Sequence, residues 1–174
     1  MSTSIVLTVV SDDHPGIVEA LSDVLARHGG NWTESSMMTL AGKFAGILLA
    51  QVPAGAAETF MADLADLESR GIQVIAKLSG AAADAKVDRG ITLELVGQDR
   101  PGIVHEITEV LARHDINVLE LETTVQSASM SGESLFLAHA RLLVPKHADP
   151  EVVRGELEAL ANEMMVDISL ENDA

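Results

Sequence analysis

The apolar positions of this chain change period in a fixed order, and the order occurs twice. Residues 5–10 form a near-continuous apolar, β-branched run, the pattern of a buried strand. Over residues 15–28, Ile17, Val18, Leu21, Val24 and Leu25 fall at helical spacing. Proline stands at the start of this stretch and Gly29-Gly30 at its stop, which predicts one amphipathic helix. Residues 31–40 and 43–52 follow as two strand-like runs, and Ala41-Gly42 between them predicts a hairpin. Residues 56–70 carry Phe60, Met61, Leu64 and Leu67 on one stripe, Gly71 ends that helix, and residues 72–78 supply a last strand.

The second half repeats the series. Strand 117–125 alternates, with Leu119, Leu121, Thr123 and Val125 on one face and Glu120 and Glu122 on the other, as a half-solvated strand does. Helix 150–164 places Val153, Leu157, Leu160 and Met164 on its buried stripe. The hairpin of this half carries about six extra residues, the small polar stretch 127–132, as a looped tip. The repetition extends to identity: residues 5–31 and 91–117 match at 14 of 27 positions without a gap. A register of 86 residues is the length of a small domain rather than of a solenoid repeat. The expected organisation is a domain over 1–80, a short linker over 81–89 and a second domain over 90–174.

Each half therefore reads βαββαβ. This is an α+β, ferredoxin-like unit with two helices on one face of a four-stranded antiparallel sheet. Residues 44–50 are apolar on both alternating faces, so the sheet face turned away from the helices is expected to be covered by the other copy or by a second chain.

Fold alone does not give function, and composition narrows the choices. An RNA-recognition module of this topology stacks bases on sheet aromatics. Here tyrosine is absent, and Trp32, Phe44, Phe60 and Phe136 are the only aromatics. A soft-metal chaperone needs a cysteine pair, and there is no cysteine. An acylphosphatase-like enzyme wants a phosphate-cradling loop with an arginine after the first strand; Arg100 sits there, but its counterpart is His14 and the glycine-rich loop is missing. The formal net charge is −16, made up of nine acids and four bases over 1–80, balance over 81–90, and sixteen acids and five bases over 91–174. Such a chain repels a polyanion, so direct nucleic-acid binding is not expected. The six histidines show no ligand spacing and no nucleophile-base order appears, so neither a metal nor a catalytic residue is expected. No cofactor is expected either. Met37-Met38 and Met164-Met165 read as core filler. With no membrane span and no secretory leader in view, a cytoplasmic protein is expected.

The candidate chemistry lies in a motif that both halves carry. Asp13-His14-Pro15-Gly16-Ile17-Val18 returns as Asp99-Arg100-Pro101-Gly102-Ile103-Val104, and fifteen residues after each glycine stands an asparagine, Asn31 or Asn117. A strand end that turns into a helix start offers backbone N–H groups and the positive end of the helix dipole, a place for a carboxylate. Gly16 and Gly102 allow close approach, and Pro15 and Pro101 pre-set the helical φ. Asp13 and Asp99 can accept from an ammonium group, while the amides of Asn31 and Asn117 both donate and accept. The same residues also fit ordinary capping and strand-start chemistry. The halves differ at His14 and Arg100. Arg100 can fork a carboxylate, which would make the second loop hold a carboxylate-bearing ligand more strongly, or it can pair with Asp99 as a surface ion pair worth little, the reading its residue type favours.

With this motif in both copies, the chain resembles the ACT family of small-molecule-sensing regulatory domains. Within it, the resemblance is to the tandem-ACT family of glycine cleavage system transcriptional repressors. The resemblance runs through both halves. It implies a non-enzymatic regulator that binds a small amino acid at Asp13, His14, Pro15, Gly16, Ile17 and Asn31 and at Asp99, Arg100, Pro101, Gly102, Ile103 and Asn117. In that family the pocket straddles an interface, the loop of one domain facing the asparagine of its partner. It further implies a homodimer, and a protein partner, a transcriptional activator, in place of DNA. Asp13 and Asp99 stand where amino-acid-binding members often carry a neutral asparagine, which favours glycine, serine or another neutral amino acid over an acidic one. Two alternatives share these residues: an accessory subunit acting in trans on an amino-acid or one-carbon enzyme, and a ligand-free dimerisation module. The loop 127–132 is a candidate partner contact.

Overall fold

A computed structural model describes residues 1–80, 89–127 and 133–172. The linker 81–89, except Arg89, and the hairpin tip 127–132, except Ser127, lie outside the described residues. The chain forms two compact units that divide between residues 83 and 84.

The first unit runs β1 (Ser2–Asp12), α1 (Ile17–Arg27), β2 (Asn31–Leu40), β3 (Lys43–Pro53), α2 (Ala57–Ala65) and β4 (Ile72–Leu78). The second runs β5 (Arg89–Gln98), α3 (Ile103–Arg113), β6 (Asn117–Ser127), β7 (Ser134–Val144), α4 (Pro150–Met164) and β8 (Val166–Asn172). The sheets are ordered β2-β3-β1-β4 and β6-β7-β5-β8, antiparallel throughout. Each unit is thus the expected α+β, ferredoxin-like fold, and the second begins its first strand at Arg89.

Strand alternation and helix periodicity meet in each core. In β1, Ile5, Leu7 and Val9 point to the helices and are buried, while Val6, Thr8 and Val10 alternate outward. Onto the inner face pack Ile17, Leu21, Val24 and Leu25 of α1, Phe60 and Leu64 of α2, and Leu48 and Ala50 of β3. The second core repeats this with Leu93 and Leu95, Ile103, Ile107 and Leu111, and Leu157. Each such side chain contributes about 1.5–3 kcal/mol by leaving water, against the entropy of ordering the chain.

Several expectations shift in detail. The α1 and α3 helices start at Ile17 and Ile103, two residues after their prolines. The stretch 56–70 is an α-helix flanked by 3₁₀ turns, Ala54–Ala56 and Asp66–Arg70, yet Phe60, Leu64 and Leu67 stay buried. In β6 a bulge between Val118 and Glu120 makes two residues oppose one, so Val118 packs inward and Leu119 is left exposed. The first unit has the same bulge after Trp32. Met37 and Met164 pack in the cores, but Met38 and Met165 are exposed, because one sits on the outer sheet face and the other follows α4 with φ 55°. The outer side of β3 carries Ala45, Ile47 and Leu49, with Ile47 56% exposed, so neither helix of its own unit covers this apolar face.

Candidate functional site

Both motif loops are built the same way from local chemistry. Gly16 has φ 96° and ψ 2°, and Gly102 has φ 94° and ψ −8°. These are the angles of the third residue of a type II turn, where glycine is favoured and proline suits the place before it. Pro15 and Pro101 therefore set a turn ahead of the helix and do not occupy its first position, which corrects the role the sequence suggested. A Cβ on Gly16 would meet nothing nearer than Glu19 Oε2 at 3.8 Å, so backbone geometry and not crowding requires the glycine.

Each helix then begins with the N–H of Ala20 donating to Gly16 O (2.9 Å), or that of Glu106 to Gly102 O (3.0 Å). Neither helix start has a side-chain cap, whereas α4 is capped by Asp149, which accepts from the Glu151 N–H at 3.0 Å. The first-turn N–H groups of α1 and α3 are thus left to solvent or a ligand at the positive end of the dipole. The loops are tied to their hairpins: the Asp13 N–H donates to Gly42 O (3.0 Å) and the Asp99 N–H to Ser134 O (2.8 Å). Ile17 and Ile103 are buried in the cores, so they anchor the loops and offer a ligand only backbone N–H groups.

Around this shared frame the side chains differ. In the first loop Asp13, His14 and Pro15 are exposed, and His14 Nδ1 donates to Pro15 O at 2.9 Å. Asp12 is engaged by Lys43 across the end of the sheet, and that hydrogen bond together with the ammonium charge holds its carboxyl below the usual carboxylate range. In the second loop Asp99 and Pro101 are exposed, and Arg100 forks Glu106 with Nη1–Oε1 at 3.0 Å and Nη2–Oε2 at 2.8 Å. Hydrogen bonding from Arg100 holds the Glu106 carboxyl below its ordinary value and keeps the guanidinium more firmly protonated. Arg100 is thus committed to Glu106 rather than to Asp99. To fork a ligand it must first leave that partner. The counterpart of Glu106 in the first unit is Ala20, so only one loop carries this fork.

Asn31 and Asn117 open β2 and β6, exposed, opposite Gln51 and Leu143. Each stands past the C-terminal end of the helix whose N-terminus the motif loop precedes. With 11 residues in α1 and in α3 the separation is about 16 Å along the helix axis. The loop and the asparagine of one unit are not brought together; a pocket using both needs two domains.

Two further features were not anticipated. At the helix ends, His28 Nε2 lies 2.8 Å from Asp63 Oδ2 with Arg27 at 3.5 Å, and His114 Nε2 lies 3.2 Å from Glu156 Oε1 with Arg113 at 3.5 Å. The Arg-His pair is visible in both repeats, but its carboxylate comes from the other helix of the unit, beyond the reach of a local pattern. The second is a shallow apolar groove between α3 and the β6–β7 edge, lined by Val104, Ile107, Thr108, Val118, Leu121 and Phe136 among others. In the first unit the larger Trp32 stands at the place of Val118 and packs on the core. Among the described residues no three His, Asp or Glu side chains form a metal-holding group, and no helix is long and apolar enough to cross a membrane.

Comparison with known proteins bears on this arrangement. Residues 3–86 and 91–162 each match an ACT domain family. A UPF0237 protein of Methanococcus maripaludis is 30% identical over 84 residues, which span 48% of this chain and 87% of that protein. The crystal structure of an unknown protein from Galdieria sulphuraria superposes with a TM-score of 0.87 at 31% identity over 100% of both chains. That of a candidate glycine cleavage system transcriptional repressor superposes at 0.71 and 17% identity over 99% of this chain and 98% of the other, a likeness of fold. With a family match over each unit and the duplicated strand-turn-helix loop in each, the chain belongs to the ACT domain family, as two ACT domains in tandem.

Proposed function

We propose that the protein is a non-enzymatic regulator that senses a small neutral amino acid, glycine or serine foremost, where two ACT domains meet. The carrying observation is the pair of Pro-Gly turns with uncapped helix starts, Gly16 at φ 96° and Gly102 at φ 94°. A ligand carboxylate accepts from the first-turn N–H groups, Asp13 or Asp99 accepts from its ammonium group, and Asn31 or Asn117 of the facing domain closes the pocket. Because the loop and asparagine of one unit lie at opposite ends of a helix, binding draws on two domains at once and so couples to their association. A coupling of about 1–3 kcal/mol changes an affinity by about 5–150-fold.

In this reading the protein is a cytoplasmic homodimer that represses glycine cleavage genes by contacting a transcriptional activator. Its net charge of −16 disfavours direct contact with DNA. The likeness to a candidate repressor of that system, extending over both domains, supports this choice of pathway. The two loops differ in strength, since only the second carries an arginine and that arginine is held by Glu106.

Calorimetric titration with glycine, serine and a panel of neutral amino acids tests the reading. Saturable heat that disappears in the Asn31→Ala/Asn117→Ala double variant supports it, and unequal losses in Gly16→Val and Gly102→Val rank the loops. Silence across the panel leaves the loops structural and the protein an interaction module.

A further inference from the structure

The outer faces of the two sheets, built on one repeated sequence, have opposite character. In the first unit the pairing register lines up rows across the sheet: Glu34–Leu49–Val6–Lys77, then Ser36–Ile47–Thr8–Ile75, then Met38–Ala45–Val10–Gln73. The middle of this face is apolar and open, with Ile47 56%, Ile75 60% and Met38 58% exposed. Its unpaired charges stand at the edges, acid on β2 and base on β4: among the described residues neither Glu34 nor Lys77 has an ion-pair partner, whereas Asp12 and Lys43, at the end of the central strands, pair with each other. The matching row of the second unit is Glu120–Arg141–Thr92–Glu171, followed by Glu122–His139–Glu94–Ser169. That face is charged through its middle and acidic at both edges, with Arg141 already paired to Glu120 at 2.7 Å.

The geometry points to the outer face of the first sheet as the surface on which a second copy of this chain docks, face to face, about a two-fold axis parallel to the strands. Such an axis, passing between β3 and β1, lays β2 of one copy over β4 of its partner. The Glu34–Leu49–Val6–Lys77 row then meets its own reverse: acid over base at both edges, and Leu49 over Val6 between them. The surface is self-complementary, as an isologous interface must be. Long Glu and Lys side chains can span the roughly 10 Å between stacked sheets. The same operation on the second unit sets Glu120 over Glu171 and excludes that face. Four strands about 4.8 Å apart give a face of about 500–600 Å² per copy, so the pair buries about 1,000–1,200 Å², the lower end for a specific interface. An area at this lower end is that of a reversible association, whose strength the edge charge pairs and the apolar centre set. This inference rests on the reading of the protein as a homodimer and adds which surface joins it.

Sedimentation of the full chain over a concentration series tests it. The wild type shows a monomer–dimer equilibrium, and Ile47→Glu, at the centre of the face, abolishes it while Trp32 fluorescence reports an intact fold. Glu34→Lys alone sets lysine over lysine, and Lys77→Glu alone sets acid over acid; each weakens association at least about tenfold. Mixing these two single variants restores both pairs and yields a heterodimer, and the double variant recovers the wild-type constant. A wild type that stays monomeric overturns both this surface and the homodimer reading. A dimer indifferent to the two charge reversals and to Ile47→Glu overturns the surface alone.

Discussion

Replacing Gly16 by alanine isolates the conformational demand of the motif loop. The residue sits at φ 96°, where an L side chain crowds its own backbone, a cost of roughly 1–2 kcal/mol. Nothing adds to that figure, since the new methyl group meets only Glu19 Oε2 at 3.8 Å. Gly16→Asn is expected to recover part of the loss, because asparagine tolerates this region better than alanine. Gly46→Ala in the same unit makes the contrast. There the backbone is ordinary, but the methyl group lands 2.6 Å from Ser36 O and 2.4 Å from Met37 Cγ, so the loss is steric and asparagine cannot relieve it. Trp32, the single tryptophan, packs partly buried on the first core, so its fluorescence in a urea titration reports this unit. With a slope of about 1 kcal/mol per molar urea, Gly16→Ala lowers the midpoint by about 1–2 M. An unchanged midpoint, or an asparagine variant less stable than the alanine one, refutes the conformational account of the motif.

Three other perturbations follow from the structure. Ala41 and Gly42 form a two-residue hairpin turn with φ 49° and φ 76°, so Ala41→Gly should raise the stability of the first unit by about 0.5–1 kcal/mol in the same fluorescence assay. Leu157 is wholly buried in the second core, and Leu157→Ala should cost about 3–5 kcal/mol, read as an earlier calorimetric transition. The Glu106 carboxyl is depressed by Arg100, so its contribution is present above the unfolded carboxylate value and is lost as pH falls through the lower folded one. Carbon-detected NMR titration should place Glu106 below the ordinary glutamate range in the wild type and return it there in Arg100→Ala.

Much of the fold is legible in the apolar pattern because strand and helix periods are local properties. Residues 31–40, 72–78 and 150–164 appear in the structure as the elements the periodicity predicts. Where a single residue breaks the period, the pattern misleads. The bulge in β6 exchanges Leu119 for Val118 as the inward side chain, and an uninterrupted alternation cannot register the extra residue. The helix starts likewise move from Pro15 and Pro101 to Ile17 and Ile103, since proline serves a turn here as readily as a first helical turn.

The candidate site divides along the same line. The sequence by itself determined the duplication, the βαββαβ order and the motif loops, because a Pro-Gly turn and a helix start are written in adjacent residues. Only the tertiary structure decided that Arg100 spends its fork on Glu106, that Asn31 stands a helix length from Gly16, and that Asp63 and Glu156 meet His28 and His114. It alone set Glu34 and Lys77 in one row through β3 and β1. The physical reason is common to all of these. They depend on strand register and helix direction, which fix distances between residues far apart in the chain, and local spacing carries no trace of them.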